Sequence, residues 1–370
     1  MSGPLRGLRV LELGGIGPVP FAGMLLSDLG ADVVQVVRPG TKDSGSRFNV
    51  MNRGRRSVAL DLTAPGDRDR ALALAATCDA VLDGFRPGVA ERLGLGPDRV
   101  AARNPHAVFG RMTGWGQDGP LAARAGHDIT YIARSGLLHA VGRAGQPPTV
   151  PLNMGGDFGG GGAMLAFGVV AACWEAARSG RGQVVDAAMT EGSSLLIAMV
   201  HGMLAAGQWT DERGVNLVDS GAPFYDVYAT ADGRHMAVGA LEDKFYAELL
   251  AGLDLPGLPG REDEANWPAI RAALAARFAE RTQAEWEKVF DGIDACVAPV
   301  RSLAEAPDDP QLRARGVFAE IGGVRQPLPS PRFSRTAAAV PAPPPEPGAD
   351  TDEVLAEWLD QGRNAERALA

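Results

Sequence analysis

The feature that most limits what this chain can become is the alternation of its first two hundred residues. Short apolar, β-branched runs take turns with helix-like stretches. Residues 8–13 read as a buried strand that ends at Gly14-Gly15, and residues 20–29 as the helix after it. Residues 32–37, 57–62, 80–85 and 107–112 are further strand candidates. Pro65, suited to a first helical position, opens a helix to about residue 77. Strands spaced by helices need crossover connections, so the expectation is an α/β fold with parallel βαβ units in one large, doubly wound, Rossmann-like domain. A long apolar helix over 157–178, a strand over 183–188 and a second apolar helix over 191–206 continue the pattern.

Beyond this point the texture changes. Residues 224–230 and 235–241 are strand-like runs joined through Asp232-Gly233, a hairpin signal. Helical stretches follow at 243–253, 267–281 and 283–293. The expected division is a large α/β domain over 1–200, a linker over 201–224 and a smaller α+β domain over 225–320. A C-terminal segment over 321–370 should run as an extended, proline-rich arm and a short helix that returns to the large domain.

Charge and cysteine usage remove several classes of function. With 36 Lys and Arg against 45 Asp and Glu, the net charge of −9 argues against a nucleic-acid partner. Cys78, Cys173 and Cys296 are far apart and odd in number, so neither a disulfide framework nor a metal site is expected, and a reduced, cytoplasmic compartment is. Residues 1–8 do not read as a signal peptide, and no stretch of about eighteen uninterrupted apolar residues predicts a membrane partner. The final Arg367-Ala368-Leu369-Ala370 is not a peroxisomal Ser-Lys-Leu tail.

Four groups of residues could carry chemistry. Gly14-Gly15-Ile16-Gly17-Pro18 lies between a strand and a helix, as a nucleotide loop would, but it lacks G-x-G-x-x-G spacing. Pro18 and Pro20 also remove two backbone donors, which favours a plain tight turn. In Gly155-Gly156-Asp157-Phe158-Gly159-Gly160-Gly161-Gly162, six glycines surround one aspartate at a helix start. A capping aspartate explains the acid; the glycine density favours close approach to a ligand. His127, flanked by Gly126 and Asp128, precedes an apolar helical run. The last group is arginine at loop positions, Arg38, Arg53, Arg55, Arg56, Arg86 and Arg92. Strand ends of doubly wound sheets bind ligands, so these suit a polyphosphate tail or else are solvated surface charge.

Taken together, these segments resemble family III CoA-transferases over nearly the whole chain. The opening Pro4-Leu5-Arg6-Gly7-Leu8-Arg9-Val10-Leu11-Glu12-Leu13, then Leu29-Gly30-Ala31-Asp32-Val33-Val34 and Arg38-Pro39-Gly40, resemble the family's first βαβ unit. Gly180-Arg181-Gly182-Gln183-Val184-Val185-Asp186 resembles a further family segment. Three stretches are similar to the racemase branch: Gly126-His127-Asp128, Gly156-Asp157-Phe158-Gly159-Gly160-Gly161, and Gly221-Ala222-Pro223-Phe224-Tyr225-Asp226 with Tyr228 and the 231–234 turn.

The resemblance implies the family III fold, interlocked homodimers and an acyl-CoA substrate. It implies His127, Asp157 and Glu242 as catalytic residues. It also implies CoA contacts from Arg38, from Ala59, Asp61 and Leu62, from Gly84 and Arg86, from Arg92, and from Gly126, Asp128 and Tyr131. The implied reaction interconverts (R)- and (S)-2-methylacyl-CoA by 1,1-proton transfer through an enolate, with His127 and Asp157 as the acid–base pair. No separate cofactor is expected, because CoA enters as part of the thioester. The alternative is CoA transfer with Asp157 as nucleophile. The enolate oxygen of the racemisation needs oriented donors, and the backbone N–H of Asp157, at a helix start, is the expected one.

Overall fold

The computed structural model describes residues 2–42 and 46–359. The chain forms two compact units, and each is built from separated stretches. The first holds a six-stranded sheet of β1 (Arg9–Glu12), β2 (Asp32–Val37), β3 (Arg56–Ala59), β4 (Ala80–Asp83), β5 (Val108–Thr113) and β6 (Val184–Ala188). Every pair is parallel, in the order β3-β2-β1-β4-β5-β6. The strands fall on the runs expected from sequence, with ends that differ by at most three residues.

The sheet is apolar on both faces because helices cover both, as parallel connections demand. On one face Leu11, Val34, Val58 and Val81 pack against Leu72 and Leu74 of the helix Pro65–Ala75. On the other, Val10, Val33, Leu82 and Val108 meet Leu26 of the helix Pro18–Asp28 and Leu165 and Val169 of the helix Met164–Ser179. Neighbouring strand residues thus serve opposite cores, the period-two pattern of a strand. Each fully buried Leu or Val contributes roughly 1.5–3 kcal/mol over leaving it in water. A helix over 351–359 sets Val354 and Trp358 into the first face. The remainder of the expected C-terminal segment, residues 360–370, lies outside the described residues.

Helix Met154–Ser179 is long and apolar enough to cross a membrane by length and composition. Leu165, Ala166, Val169 and Ala172 are instead buried in the sheet core, which accounts for the apolar content. The helix begins earlier than residue 157 and is π-helical over Met154–Ala163. The single helix expected over 191–206 is two, Met189–Leu196 and Ala198–Ala205, with a break at Ile197.

The loop arginines divide differently from the sequence reading. Arg53 forms a buried two-point pair with Asp28, at 2.9 and 2.6 Å, and also reaches Gln326 and the Pro327 carbonyl. Arg55 is fully buried on Glu12 at 2.7 Å, and Gln35 donates to the other Glu12 oxygen. Arg56 pairs with Asp32 and Glu357. These three are structural ion pairs and not a phosphate cluster. A guanidinium can leave water only where carboxylates and carbonyls replace its hydration, as they do here.

The second unit comprises Gly136–Pro151 and Ala198–Ala314. Its antiparallel sheet is β7 (Tyr225–Ala229), β8 (His235–Gly239) and β9 (Val297–Pro299). The β7–β8 turn is the expected Asp232-Gly233 hairpin. Phe278, Trp286 and Met236 centre its core. Asp226, on β7, is buried between Arg143 and Arg271.

The domain boundaries need correction. Residues 201–224 are no linker: they contain the end of the helix Ala198–Ala205 and a loop in which Asp219 accepts the N–H groups of Gly214, Asn216 and Gly221. Residues 136–151, expected in the large domain, belong to the second unit, and 315–320 belong to the first. There the hairpin β10 (Phe318–Ile321) and β11 (Val324–Pro327) opens what was expected to be an extended arm.

Candidate active site

The strand order reverses between β1 and β4, and a cavity of about 570 Å³ opens at the carboxyl ends of these strands. Open α/β sheets bind ligands at such a switch point. The turn after β1 supplies Gly15 and Ile16, the turn after β4 Gly84, Phe85 and Arg86, and the end of β5 Gly114 and Trp115. His127, Tyr131, Asp157 and Met189 complete the wall. The Gly84 N–H donates to the Gly14 carbonyl at 3.1 Å and draws the two strand ends together. The Gly14–Pro18 segment is therefore the tight turn, and it forms one side of the site.

His127 stands immediately before the helix Asp128–Ser135. Its carbonyl accepts the N–H groups of Thr130 and Tyr131, and its own N–H donates to Thr130 Oγ1 at 3.0 Å. These bonds fix its backbone. The residue is exposed, and among the described residues nothing bonds its ring. The imidazole is thus available to a ligand in the cavity.

Asp157 sits in the π-helical segment, a conformation that recurs at functional sites. Its Oδ2 accepts from Asn153 Nδ2 at 3.0 Å. Burial pushes the Asp157 carboxyl above its ordinary value, and the Asp128 charge adds to this, while the Asn153 bond and His127 pull the other way. Gly17, at φ 74°, faces this carboxylate closely: a Cβ there would lie 2.9 Å from Oδ2.

The glycine density has another cause than the one expected. A Cβ on Gly160 would lie 2.5 Å from the Ser193 nitrogen, and one on Gly162 would lie 2.5 Å from the Pro18 carbonyl oxygen. These glycines let the π segment press between the helices Met189–Leu196 and Pro18–Asp28; they do not open the backbone to a ligand. The expected oxyanion donor is also corrected. The Asp157 N–H already donates to Asp128 Oδ1 at 2.7 Å.

Of the expected CoA contacts, Gly84, Arg86, Gly126 and Tyr131 line the same cavity as His127 and Asp157. Asp128 does not: its buried carboxylate turns inward onto the 156–157 backbone. Arg38 is exposed after β2, close enough to Asp61 to help lower that carboxyl below its ordinary value, an effect led by the Thr63 hydrogen bonds. Ala59 gives its N–H to Thr351 Oγ1 at 3.0 Å, and Leu62 packs on the core. Arg92 is exposed at the end of the short helix Val89–Arg92, outside the cavity wall. Glu242 is exposed in the second unit, where it precedes the helix Asp243–Leu253. The sequence reading missed Asn153 and Trp115, and it took Gly17 only as part of a turn and not as a neighbour of Asp157. Asn153 alone carried a signal, being four residues before Asp157 on the same helical face.

The profile of CoA-transferase family III matches residues 5–351. The chain is 46% identical over 359 residues to an alpha-methylacyl-CoA racemase of Mus musculus, covering 96% of this chain and 93% of that one. It is 42% identical to an alpha-methylacyl-CoA racemase of Homo sapiens, with the same coverage of 96% and 93%. The crystal structure of a CAIB/BAIF family protein from Brucella suis superposes with a TM-score of 0.81 at 27% identity, covering 97% of this chain and 100% of that one.

Proposed function

The chain belongs to CoA-transferase family III, and from that premise we propose that its activity is that of an α-methylacyl-CoA racemase. It is an isomerase acting on acyl-CoA thioesters, and it interconverts (R)- and (S)-2-methylacyl-CoA. The observation that carries this reading is the presence of His127 and Asp157, from two different elements, on the wall of one cavity. Inversion needs a base on one face of the α-carbon and an acid on the other. The His127 imidazole, unbonded among the described residues, and the Asp157 carboxyl, raised above its ordinary value by burial, are placed on that wall to act as the base and the acid.

The weak acidity of a carbon beside a thioester makes stabilisation of the enolate oxygen the costly part. One oriented donor is worth about 3–4 kcal/mol in such sites. Since the Asp157 N–H is committed, the donor we assign is the N–H of Asp128, which opens the helix Asp128–Ser135 and meets no acceptor among the described residues. Arg86 on the cavity wall, with Arg38 and Arg92 at the surface, supplies charge for the CoA phosphates. The reaction asks for no cofactor beyond the CoA of the substrate. We assign Glu242 to the catalytic set as well, in a cytoplasmic homodimer with interlocked chains.

Proton NMR in D₂O with each enantiomer of a 2-methylacyl-CoA tests the reading. Wild-type protein exchanges the α-proton of both. Asp157→Asn leaves slow exchange with the enantiomer served by His127 and almost no inversion; His127→Gln shows the opposite preference. Absence of exchange with any branched acyl-CoA, together with CoA transfer to a carboxylic acid and an acyl or CoA adduct on Asp157, would establish transfer instead.

A further inference from the structure

We propose that Asp128 is the positioning residue of this site: its buried carboxylate pins the 156–157 backbone to the turn carrying His127 and so fixes the spacing of the two proton-transfer groups. The proposal deepens the racemase reading and rests on it for the assignment of roles, but the clamp itself is a matter of geometry.

One carboxylate oxygen, Asp128 Oδ1, accepts from both the Gly156 N–H at 2.6 Å and the Asp157 N–H at 2.7 Å. Asp128 is only 6% exposed, so water does not compete for these bonds. Hydrogen bonds to a charged acceptor are short and about twice as strong as neutral ones. Their placement matters more than their strength. Asp128 is covalently next to His127, and one of its two partners is the backbone of Asp157 itself. No other bond described between side chain and backbone joins these two stretches so directly.

Gly156 fits this clamp. A Cβ there would lie 2.6 Å from Asp128 Oδ1 and 3.3 Å from the Asp128 Cα, so only glycine lets the backbone come this near. The second carboxylate oxygen, Oδ2, is buried without a partner. Proton transfer is sensitive to such spacing, since a displacement of about 1 Å at the reacting groups can cost about 100-fold in rate.

Three variants test the clamp, each with kinetics and with amide hydrogen exchange of Gly156 and Asp157. Asp128→Ala removes the acceptor: kcat falls by about 100-fold while KM changes little, the pattern of an interaction that acts on the transition state. In the same variant the two amides lose their protection. Asp128→Asn keeps a carbonyl oxygen in place, restores most of the lost kcat and keeps the amides protected. Gly156→Ala, which forces the backbone away from Oδ1, reproduces the kinetic loss.

A wild-type kcat in Asp128→Ala or in Gly156→Ala would overturn the proposal, as would Asp128→Asn as inactive as the alanine variant. Should Asp128→Ala not fold, Asp128→Asn and Gly156→Ala decide the matter by the same outcomes. Protected amides that persist in a folded Asp128→Ala would also overturn it. If the wild-type protein exchanges no α-proton, the racemase reading fails, and the amide measurement still judges the clamp on its own.

Discussion

Gly17 occupies a left-handed conformation at φ 74° with its α-carbon turned to the Asp157 carboxylate. Alanine there is strained by its φ and brings a methyl group to 2.9 Å from Oδ2, so either the turn or the carboxylate must move. Gly17→Ala therefore lowers kcat by about 10- to 100-fold with a smaller effect on KM, measured as racemisation of a 2-methylacyl-CoA. A second residue tests the site's electrostatics. Asp83, at the end of β4 beside the cavity turn, is buried and has its carboxyl pushed up to about 6 by that burial, against the opposing Phe85 N–H and Arg111. Its folded-state value lies above the unfolded value of about 4. The stabilising contribution of the neutral form is thus fully present below about pH 4 and is lost as pH rises through about 6. Asp83→Asn should flatten the dependence of unfolding free energy on pH between about 4 and 6, read from denaturant curves at several pH values. The residues of the chemistry were legible as types: a histidine between glycine and acid, and an aspartate among glycines. What they bond to was not. Nothing in the sequence joins Asp128 to a backbone 28 residues further on, and the glycines around Asp157 looked like ligand contacts because the helices they press against are distant in the chain.

At the scale of elements, the clearest example is the β10–β11 hairpin fastened to the first helix. Arg53 bridges Asp28, at the end of the helix Pro18–Asp28, to Gln326 and the Pro327 carbonyl of β11. Both members of the Arg53–Asp28 pair are about 3% exposed. Removing one partner strands a buried charge, so Arg53→Ala destabilises by about 3–5 kcal/mol, read as a shift of the urea midpoint with unchanged slope. Arg38→Ala, at an exposed strand end, serves as the contrast: stability is unchanged, and KM for acyl-CoA rises with kcat largely intact. Long apolar runs flanked by glycine and proline were legible as strands, because a parallel sheet buried on both faces leaves that signature. The strands β9, β10 and β11 were not, since charged residues or prolines interrupt each and none lies in a continuous apolar run. The break at Ile197 was also hidden, because the apolar pattern runs through it without a proline.

At the scale of the whole molecule, the first unit exposes large apolar side chains that a solitary chain would leave wet. Phe167 and Trp174 on the helix Met164–Ser179 are 75% and 69% exposed, and Val184 on the edge strand β6 is 48% exposed. Exposed apolar side chains of this size are suited to burial against a partner chain. The proposed homodimer should sediment as a dimer at micromolar concentration, and Trp174→Glu should shift it toward monomer. Co-expressing His127→Ala with Glu242→Ala chains should restore part of the activity if Glu242 serves the partner's site, since some mixed dimers then keep one complete site.

The order in which the chain is made has a further bearing on this architecture. The first unit draws on 1–135 and 152–197 and is not complete without the stretch from 315 onward. Val354 and Trp358, near the end of the described chain, lie in the same core as Leu11 and Val34 near its start. A nascent chain on the ribosome therefore holds an open apolar sheet face until residues 354–358 emerge, while the second unit's stretch 198–314 is already outside. The large unit can close only after residues 354–358 have emerged. Chaperone demand should follow the C-terminal segment, and a chain stopped at residue 314 should aggregate although both proposed proton-transfer residues are present in it.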